Sequence, residues 1–397
     1  MDLSFTPEQE AFRGRLRRWL AENLPAGWGT EAFPGFASED EETAFLRDWQ
    51  ARLHRAGWCG LSWPREYGGA GATSIEQAIY DDETARAQAP ELINKVGINN
   101  VGPTLMRHGT EAQKRRFIPK ILSAEEIWCQ LFSEPGAGSD LAAIRTRAER
   151  EGDGYRLTGQ KVWTSFAGLS RWAICLARTD PSAAKHRGIT YFIVDMEAPG
   201  ITVRPLRQMT GGAEFNEVFL DAVAVPREHV IGPENGGWGV AMDTLAHERG
   251  TSYLFKEQVK AKIGVERLLA LVRQRAAEGR PVHRALRAEA VHAWIAVEIM
   301  RLHNLDTLTR LARGQEPGPE SSLKKEFWTR LTQHLLETMI AVQGPTGQLM
   351  PDDPHAVDRG RWQQSFLYSR SSSISGGTSE IQLNIVATQM LGLPRGR

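Results

Sequence analysis

The stretch GYRLTGQKVWTSF, residues 154–166, begins at a glycine and is rich in residues that favour extended strands. Similar short runs follow it and are separated by Gly, Pro and Asp: RWAICLART, GITYFIVDM, GITVRPL and EFNEVFLDAVAVP. Runs of this length and punctuation are typical of an all-β region. We therefore predict a β-domain, built as a sandwich or a barrel, over residues 126–235.

Helical patterns flank this region on both sides. Before it, apolar residues recur at helical spacing in residues 6–24 and 40–58, and Thr6 and Pro7 form a helix-starting signature. After it, long amphipathic patterns run from Trp238 almost to the end of the chain. This order predicts an α+β protein with a helical domain at 1–125, the β-domain at 126–235 and a four-helix-bundle-like domain at 236–397. A doubly wound dinucleotide-binding sheet is not expected, because no GxGxxG follows a predicted strand.

The bulk composition describes an ordinary soluble protein without a strong electrostatic preference. The 397 residues include 48 Lys and Arg and 48 Asp and Glu, so no net charge favours nucleic acid or an anionic membrane. The three cysteines, Cys59, Cys129 and Cys175, are far apart and suggest buried thiols in a reducing compartment. The histidines have no metal-ligand spacing, and neither a signal peptide nor a membrane span is apparent. A cytoplasmic protein without a metal is expected.

The glycine-rich stretch CQLFSEPGAGSDLA, residues 129–142, has the composition of a ligand-binding loop. Gly136 and Gly138 allow close approach of the backbone to a ligand, and Ser133 and Ser139 add hydroxyl groups. A simple turn is the alternative interpretation.

The stretch GQKVWTS, residues 159–165, places Trp163 beside two hydroxyl groups on a predicted strand. A large flat ring next to hydrogen-bonding groups suits a planar cofactor, whereas a tryptophan buried in the core is the alternative.

The chain resembles the acyl-CoA dehydrogenase family of flavoproteins along essentially its whole length. The resemblance is carried by four motifs in register, SEPGAGSDLA, GQKVWTS, EFNEVFLDAVAVP and GGTSEIQLNIVATQMLGLP, together with HGTEAQKRRFIPKIL near the N-terminus. It implies an FAD-dependent oxidoreductase of lipid metabolism that converts an acyl-CoA thioester to the 2,3-enoyl-CoA. In this family a carboxylate takes the α-proton, a β-hydride passes to flavin N5, and hydrogen-bond donors polarise the thioester carbonyl.

The resemblance also assigns cofactor and substrate contacts to particular residues. The flavin ring is expected to meet the backbone near Gln130 and Phe132, the hydroxyl of Ser133, and the side chains of Trp163, Thr164 and Ser165. Ser139 is expected near the diphosphate and the CoA arm of the substrate, and Arg249 near the substrate or the flavin. Thr378 and Glu380 are expected at the nucleotide end of the cofactor, and Arg275 at the cofactor of a neighbouring subunit.

The position that holds the catalytic acid in much of the family is Gly376 in this chain. Gly376 keeps its amide N–H, which the family uses to polarise the thioester carbonyl. A plain glycine turn is the alternative, and Ser379 and Gln382 have capping-box spacing for the helix that follows.

A second acid, Glu248, precedes Arg249 in the manner of a family subgroup whose base lies on an internal helix. Leu245, Glu248, Ser252, Phe255, Val259 and Ile263 share one helical face, so Glu248 is expected on a largely apolar stripe. We therefore assign Glu248 as the base; the alternative is that it only pairs with Arg249 or Lys256.

The sequence departs from the family where the cofactor site is built across subunits. Glu278 replaces an expected phenylalanine, Leu383 replaces a common arginine, and the segment around Gln343 matches only loosely, so a shifted residue is an alternative to Gln343. These departures motivate the hypothesis of a heterotetramer with a related subunit, and a homo-oligomer is the alternative. An electron-transferring flavoprotein is the expected electron acceptor.

Two alternative functions remain: an oxidase or flavin monooxygenase of the same fold, and a non-catalytic partner subunit. The acyl group is left open.

Overall fold

The structure, a computed structural model, describes residues 5–30, 32–248, 251–315, 318–351 and 353–394. The side chains of residues 247, 248 and 251–254 are also outside the described part.

The α-helices precede and follow the strands in the chain. They are α1 (Pro7–Asn23), α2 (Glu39–Arg55), α3 (Ser74–Arg86), α4 (Gly102–His108), α5 (Glu111–Leu122), α6 (Gly237–Glu248), α7 (Thr251–Ala277), α8 (Arg284–Ala312), α9 (Glu320–Gln343), α10 (Arg361–Tyr368) and α11 (Ser379–Ile385). Short π-helical turns precede α4 at Gly97–Val101 and follow α11 at Val386–Met390. The N-cap expected at Thr6 is confirmed, since its side chain accepts a hydrogen bond from Gln9 N and Pro7 is the first helical residue.

The strands lie in the middle of the chain. They are β1 (Trp128–Leu131), β2 (Arg147–Glu151), β3 (Gly154–Ser165), β4 (Trp172–Arg178), β5 (Ile189–Asp195), β6 (Ile201–Leu206), β7 (Phe215–Pro226) and β8 (Val230–Ile231). They form one eight-stranded sheet in the order β6-β7-β3-β2-β4-β5-β8, with β1 beside β4. β1 and β2 run parallel to β4, and the other neighbours are antiparallel. The β3–β7 register shifts between Lys161 and Thr164, which bends the sheet around Trp163.

The chain divides into two compact units. The first, the β unit, comprises Phe36–Ala72 and Pro90–Glu248 and contains the whole sheet. Buried side chains from β1, β3, β4, β5 and β7 meet in one hydrophobic cluster, which includes Leu131, Leu157, Cys175, Phe192 and Val218. This single inner core agrees with the predicted β-domain. The three cysteines are free and buried, as expected.

The second compact unit, the helical unit, comprises Met1–Gly35, Thr73–Ala89 and Arg249–Arg397. Its core is formed by α7, α8 and α9, with buried contacts that include Val265, Leu268, Ala293, Val297 and Met339. Helix α3 packs against α1, α7 and α8, so two early helices fold together with the C-terminal ones.

The predicted fold class, with helices first, a β-domain in the middle and a helical bundle last, is confirmed. The domain limits at residues 125 and 235 stay a prediction. No helix in the described ranges is both long and apolar enough to cross a membrane. The described residues also contain no group of three or more metal-ligating side chains.

Candidate active site

The glycine-rich loop follows β1 and forms a tight turn in the β unit. Glu134 and Ala137 exchange two backbone hydrogen bonds, of 3.1 and 3.0 Å, and Ser133 O accepts a 2.9 Å bond from Val162 N. A Cβ added at Gly136 or Gly138 would meet no atom within 4 Å, and neither glycine has a positive φ. Since neither backbone conformation nor packing requires glycine there, close approach of a bound molecule explains these residues best.

A buried ion pair holds this loop against the sheet. Lys161 is 0% exposed, and its Nζ lies 2.9 Å from Glu134 Oε1, 3.2 Å from Phe132 O and 2.7 Å from Leu176 O. Glu134 also accepts from the backbone N–H groups of Arg145 and Thr146 at 2.6 and 2.9 Å. Every ammonium proton therefore has an acceptor, and the loop is joined to β3 and β4.

Opposing influences act on the Glu134 carboxyl. Burial alone would raise its pKa, but the Lys161 ammonium and the N–H groups of Thr146 and Arg145 together hold the pKa below its ordinary value. The carboxylate is thus the stable form in the folded protein.

Trp163 combines strain with exposure. It has φ = +60°, a conformation unusual for a bulky residue, and 62% of its surface is exposed although it belongs to a strand. Its ring touches Phe215 edge-on, with a centroid distance of 6.2 Å. A strained and exposed aromatic ring is the kind of feature that a ligand-binding surface retains. The alternative of a tryptophan buried in the core is therefore wrong.

The other residues assigned to the flavin ring lie on the same two segments. Thr164 is buried, and within the part of the chain that the structure describes its Oγ1 has no hydrogen-bond partner, while Asn216 Nδ2 donates to its carbonyl at 3.0 Å. Gln130 is half-buried, and its Oε1 accepts from Asn100 Nδ2 at 2.8 Å. The Val162–Ser133 hydrogen bond joins the two segments, which contain Gln130, Phe132, Ser133, Ser139, Trp163, Thr164 and Ser165. Among these, Ser133 and Ser165 are half-buried and Ser139 is exposed.

The glycine pair forms a bend in the helical unit just before α11. Gly376 and Gly377 have φ values of +64° and +90°, which favour glycine. Within the described ranges, neither amide nitrogen has a hydrogen-bond acceptor, so both N–H groups are available to a ligand. A Cβ at Gly376 would meet no atom within 4 Å.

The carbonyl groups of the same bend are held firmly from inside the unit. Gln382 is buried and its Nε2 lies 2.9 Å from Gly376 O. Lys325 Nζ lies 2.9 Å from Gly377 O and 2.7 Å from Ser372 O. The bend is therefore fixed through its oxygen atoms while its N–H groups stay free.

The helix cap lies one residue earlier than the spacing suggested. Thr378, not Ser379, is the N-cap of α11, and its Oγ1 accepts from Ile381 N at 3.3 Å. The capping-box interpretation is wrong because the Thr378 hydroxyl caps the helix, and Gln382 Nε2 donates to the carbonyl groups of the glycine pair. The pKa of the exposed Glu380 carboxyl is lowered, mainly by its own backbone N–H and also by the Thr378 hydroxyl.

The residues assigned to a neighbouring subunit's cofactor have local partners. Arg275 Nη1 donates to Val342 O at the end of α9. Gln343 is fully buried, and its Oε1 accepts from Gln363 Nε2 at 2.9 Å. The Gln343 side chain is thus used inside the helical unit, whereas the half-buried Arg275 keeps donors to spare.

The proposed base lies at the edge of what the structure describes. Glu248 is the last residue of α6, but its side chain, and the whole of Arg249, are outside the described residues. On the predicted stripe, Val259 is buried and Leu245 and Phe255 are half-buried. The apolar character of the stripe is therefore retained on the described positions.

Sequence reasoning missed the side chains that support these segments. No site role was predicted for four side chains that hold the predicted site segments in place: Lys161, Glu134, Lys325 and Gln382. The alternation of side chains along β3 offers one signal for Lys161. It places this lysine among the inward-facing positions, and a buried ammonium group requires a partner of opposite charge.

Comparison with known proteins covers nearly the whole chain. Family models for acyl-CoA dehydrogenases match in three consecutive parts: the N-terminal domain at residues 6–125, the middle domain at 129–223 and the C-terminal domain at 235–391. A curated relative, acyl-CoA dehydrogenase IpdE1 of Mycobacterium tuberculosis, is 41% identical over 387 residues, covering 97% of this chain and 98% of the relative. IpdE1 of Mycolicibacterium smegmatis is 37% identical over 399 residues, covering 98% of both chains.

Solved structures give the same result. The Tcur3481-Tcur3483 steroid ACAD superimposes with a TM-score of 0.86 at 31% identity, covering 100% of both chains. The ChsE4-ChsE5 complex from Mycobacterium tuberculosis gives a TM-score of 0.82 at 31% identity, again covering 100% of both chains. This chain belongs to the acyl-CoA dehydrogenase family of flavoproteins and is itself an acyl-CoA dehydrogenase.

Proposed function

We propose that the chain oxidises an acyl-CoA thioester to the 2,3-enoyl-CoA with FAD as its cofactor and Glu248 as its base. The observation that carries the proposal is the Gly376 bend, which offers two free N–H groups but no acidic side chain. A dehydrogenase of this family needs a carboxylate near the α-carbon, and Glu248 on its apolar stripe is the acid that the sequence offers for this role.

The residues of the β unit fit a flavin. The exposed Trp163 ring supplies a flat surface, the buried Thr164 hydroxyl lacks a partner in the described ranges, and Gly136 and Gly138 leave open space beside the backbone. We assign the ring to the Ser133 and Trp163–Ser165 segments, and the nucleotide end to Thr378 and Glu380. When bound, FAD supplies the acceptor for the β-hydride.

The chain itself has two tasks in the reaction. The Glu248 carboxylate takes the α-proton, and the resulting negative charge spreads to the thioester oxygen. The N–H of Gly376 donates to that oxygen, and a donor of this kind is worth roughly 100- to 1000-fold in rate. Because Gln382 and Lys325 hold the carbonyl groups of the bend, its donor does not have to reorganise during the reaction.

Replacement of the base tests this assignment. In the FAD-loaded protein without oxygen, E248Q is expected to abolish bleaching of the flavin by acyl-CoA while FAD stays bound. Glu257→Gln is the matched control, since Glu257 is on α7 and pairs with Lys260 at 2.9 Å. Bleaching by E248Q at the rate of the unaltered protein would reject Glu248 as the base. Slow reoxidation of the bleached enzyme in air supports a dehydrogenase, whereas fast reoxidation supports an oxidase.

We further propose a bulky, polycyclic acyl group. Support comes from the steroid ACAD that shares 31% of its residues with this chain over the full length. Straight, branched and steroid CoA thioesters, compared by the rate of flavin bleaching, distinguish the classes. Faster bleaching by a straight-chain thioester than by any steroid thioester would contradict this substrate class.

Assembly with a related subunit is part of the same proposal. The ChsE4-ChsE5 structure is a complex of two chains, and in this chain Gln343 is turned inward and Glu278 replaces an aromatic residue. The chain purified alone is expected to hold less than one FAD per chain, and addition of a related acyl-CoA dehydrogenase chain should raise that ratio. A stable homotetramer with full FAD would contradict the need for a partner. An electron-transferring flavoprotein remains the proposed acceptor.

A further inference from the structure

A cavity of about 330 Å³ lies in the helical unit between α1, α3, α7 and α8. This volume falls at the lower end of the range for small-molecule sites, about 300–1,000 Å³. Among the described residues, none of those assigned above to flavin or substrate lines it.

The walls of the cavity combine an apolar surface with a surplus of positive charge. The apolar side is formed by Ile79, Phe255, Val259, Leu305 and Leu308. Its charged lining consists of Arg13, Arg17, Arg86, Lys262, Arg301 and one acid, Asp82. An amphipathic ligand with an anionic end would match both parts.

The arginines are already neutralised by neighbouring carboxylates. Arg13 binds Glu10 at 2.8 Å and Glu83 at 3.1 Å, and Arg17 binds Glu83 at 2.6 Å. Arg86 binds Asp82 at 2.9 Å, and Arg301 binds Glu298 at 2.8 Å.

Lys262 differs from these arginines. It is half-buried on α7, and the described part of the chain provides no carboxylate within ion-pair distance of it. One uncompensated positive charge therefore faces the cavity, which favours a monoanion over a neutral or doubly charged ligand.

Gln258 lies one helical turn before Lys262 and also lines the cavity. It is only 6% exposed, and its Nε2 has no hydrogen-bond partner among the described residues. A buried amide without a partner costs free energy unless something satisfies it. Residues four positions apart share a helix face, so one ligand can engage both side chains.

We propose that this cavity is a second ligand site, which binds an aliphatic or alicyclic monocarboxylate. The carboxylate accepts from Lys262 and Gln258, and the hydrocarbon body packs against the leucines, Ile79, Phe255 and Val259. The carboxylate has two possible sources: a free acid, or the far end of a dicarboxylic acyl-CoA.

Binding of octanoate to the purified FAD-loaded protein, measured by calorimetry, tests the site. Saturable binding is expected, and K262M should weaken it at least about tenfold, as expected for a charge-assisted hydrogen bond. Lys260→Met is the matched control, because Lys260 is on the same helix, outside the cavity, and pairs with Glu257. Octan-1-ol, with the same chain but no charge, should bind much more weakly than octanoate.

Two further measurements identify the source of the carboxylate and distinguish loss of binding from loss of folding. Val259→Trp should fill the cavity and abolish binding while the far-ultraviolet circular dichroism is unchanged. If the source is a dicarboxylic acyl-CoA, K262M raises the KM for that thioester but not for a monocarboxylic one; if it is a free acid, neither KM changes. Absence of octanoate binding, or binding that K262M leaves intact, would overturn the proposal without affecting the assignment of Glu248.

Discussion

Lys161 is the residue on which the conformation of the glycine-rich loop depends most directly. Its ammonium group is fully buried and joins Glu134 to two backbone carbonyl groups on different segments. Removal of one partner of a buried ion pair leaves an uncompensated charge, which costs far more than a surface pair is worth.

We expect K161M to lower the free energy of unfolding by roughly 3–5 kcal/mol, because the Glu134 carboxylate stays buried without its cation. FAD content should fall as the loop loosens. Urea denaturation and absorbance at the flavin band measure both effects. Lys185→Met is the control, since Lys185 pairs with Asp140 on the surface. Equal stability of the two variants would contradict the role given to Lys161.

The depressed pKa of Glu134 gives stability a pH dependence. Its contribution is fully present above the ordinary glutamate pKa, about 4.3, and is lost as pH falls through the lower pKa of the folded state. E134Q should therefore be less stable at neutral pH and lose less of its remaining stability on acidification. Parallel acid-unfolding curves for E134Q and the unaltered protein would show that Glu134 does not contribute.

Substitution of Trp163 should weaken cofactor binding while leaving the stability of the protein almost unchanged. Because most of its surface is exposed, W163A should change the stability of the FAD-free protein by no more than about 0.5 kcal/mol. The dissociation constant for FAD should rise about tenfold with the loss of an aromatic contact, and W163F should recover most of the affinity. Fluorescence titration with FAD measures this, and unchanged affinity in W163A would place the ring elsewhere.

The position of the base can also be tested by placing an acid at position 376 in a variant that lacks the Glu248 carboxylate. In an E248Q background, G376E should regain at least about tenfold in flavin bleaching, because a Cβ there meets no atom of the described residues within 4 Å. Recovery should stay partial, since φ = +64° costs a non-glycine residue about 1–2 kcal/mol. Gly376→Gln in the same background is the control of equal size, and equal rates for the two double variants would argue against the prediction.

At the scale of elements, α9 and α11 together support the glycine bend. Lys325 on α9 and Gln382 on α11 bind its carbonyl groups, and Thr378 caps the helix that follows. A bend held in this way presents its N–H groups at fixed positions, which suits a donor to a developing negative charge.

K325M should loosen the bend selectively. Amide hydrogen exchange in residues 371–383 is expected to become about tenfold faster, since the Ser372 and Gly377 carbonyl groups lose a charged donor. The neighbouring Lys324 is the control, because its Nζ instead binds His303 O at 3.0 Å. If K324M has the larger effect on this segment, the bend is not held by Lys325.

Elements with a local signal were predictable from the sequence, and side-chain partners distant in sequence were not. The cap at Thr6 and the strands of the sheet follow from patterns within a few residues. The cap lies at Thr378, one position before Ser379, because the Thr378 hydroxyl accepts from Ile381 N. Lys161 and Glu134 are 27 residues apart, and no local pattern indicates that they meet.

At the scale of the whole molecule, the order of elements differs from their grouping in space. Helices α1 and α3 come early in the chain but belong to the compact unit of the C-terminal helices. Arg17 on α1 binds the buried Glu83 on α3 at 2.6 Å, which links the two. Helical periodicity predicted both helices, but it does not show which other helices their apolar faces pack against.

A variant that lacks residues 1–23 tests this grouping. Loss of α1 exposes one face of α3 and removes both arginine partners of Glu83. Hydrogen exchange should therefore accelerate in α3, α7 and α8, while β4 and β5 serve as the internal comparison. Acceleration confined to the sheet would show that α1 stabilises the other unit.

The attachment of the glycine bend through its oxygen atoms has a consequence for how such enzymes diverge. The anchoring contacts use carbonyl groups and no side chain at position 376, so an acidic group there can be lost or regained in a single step if the strain of the positive φ is tolerated. Positions 325 and 382 have no such freedom, since a change at either one releases the bend itself. A lineage with this scaffold can therefore exchange one proton acceptor for another and explore new substrate shapes without first rebuilding its oxyanion site.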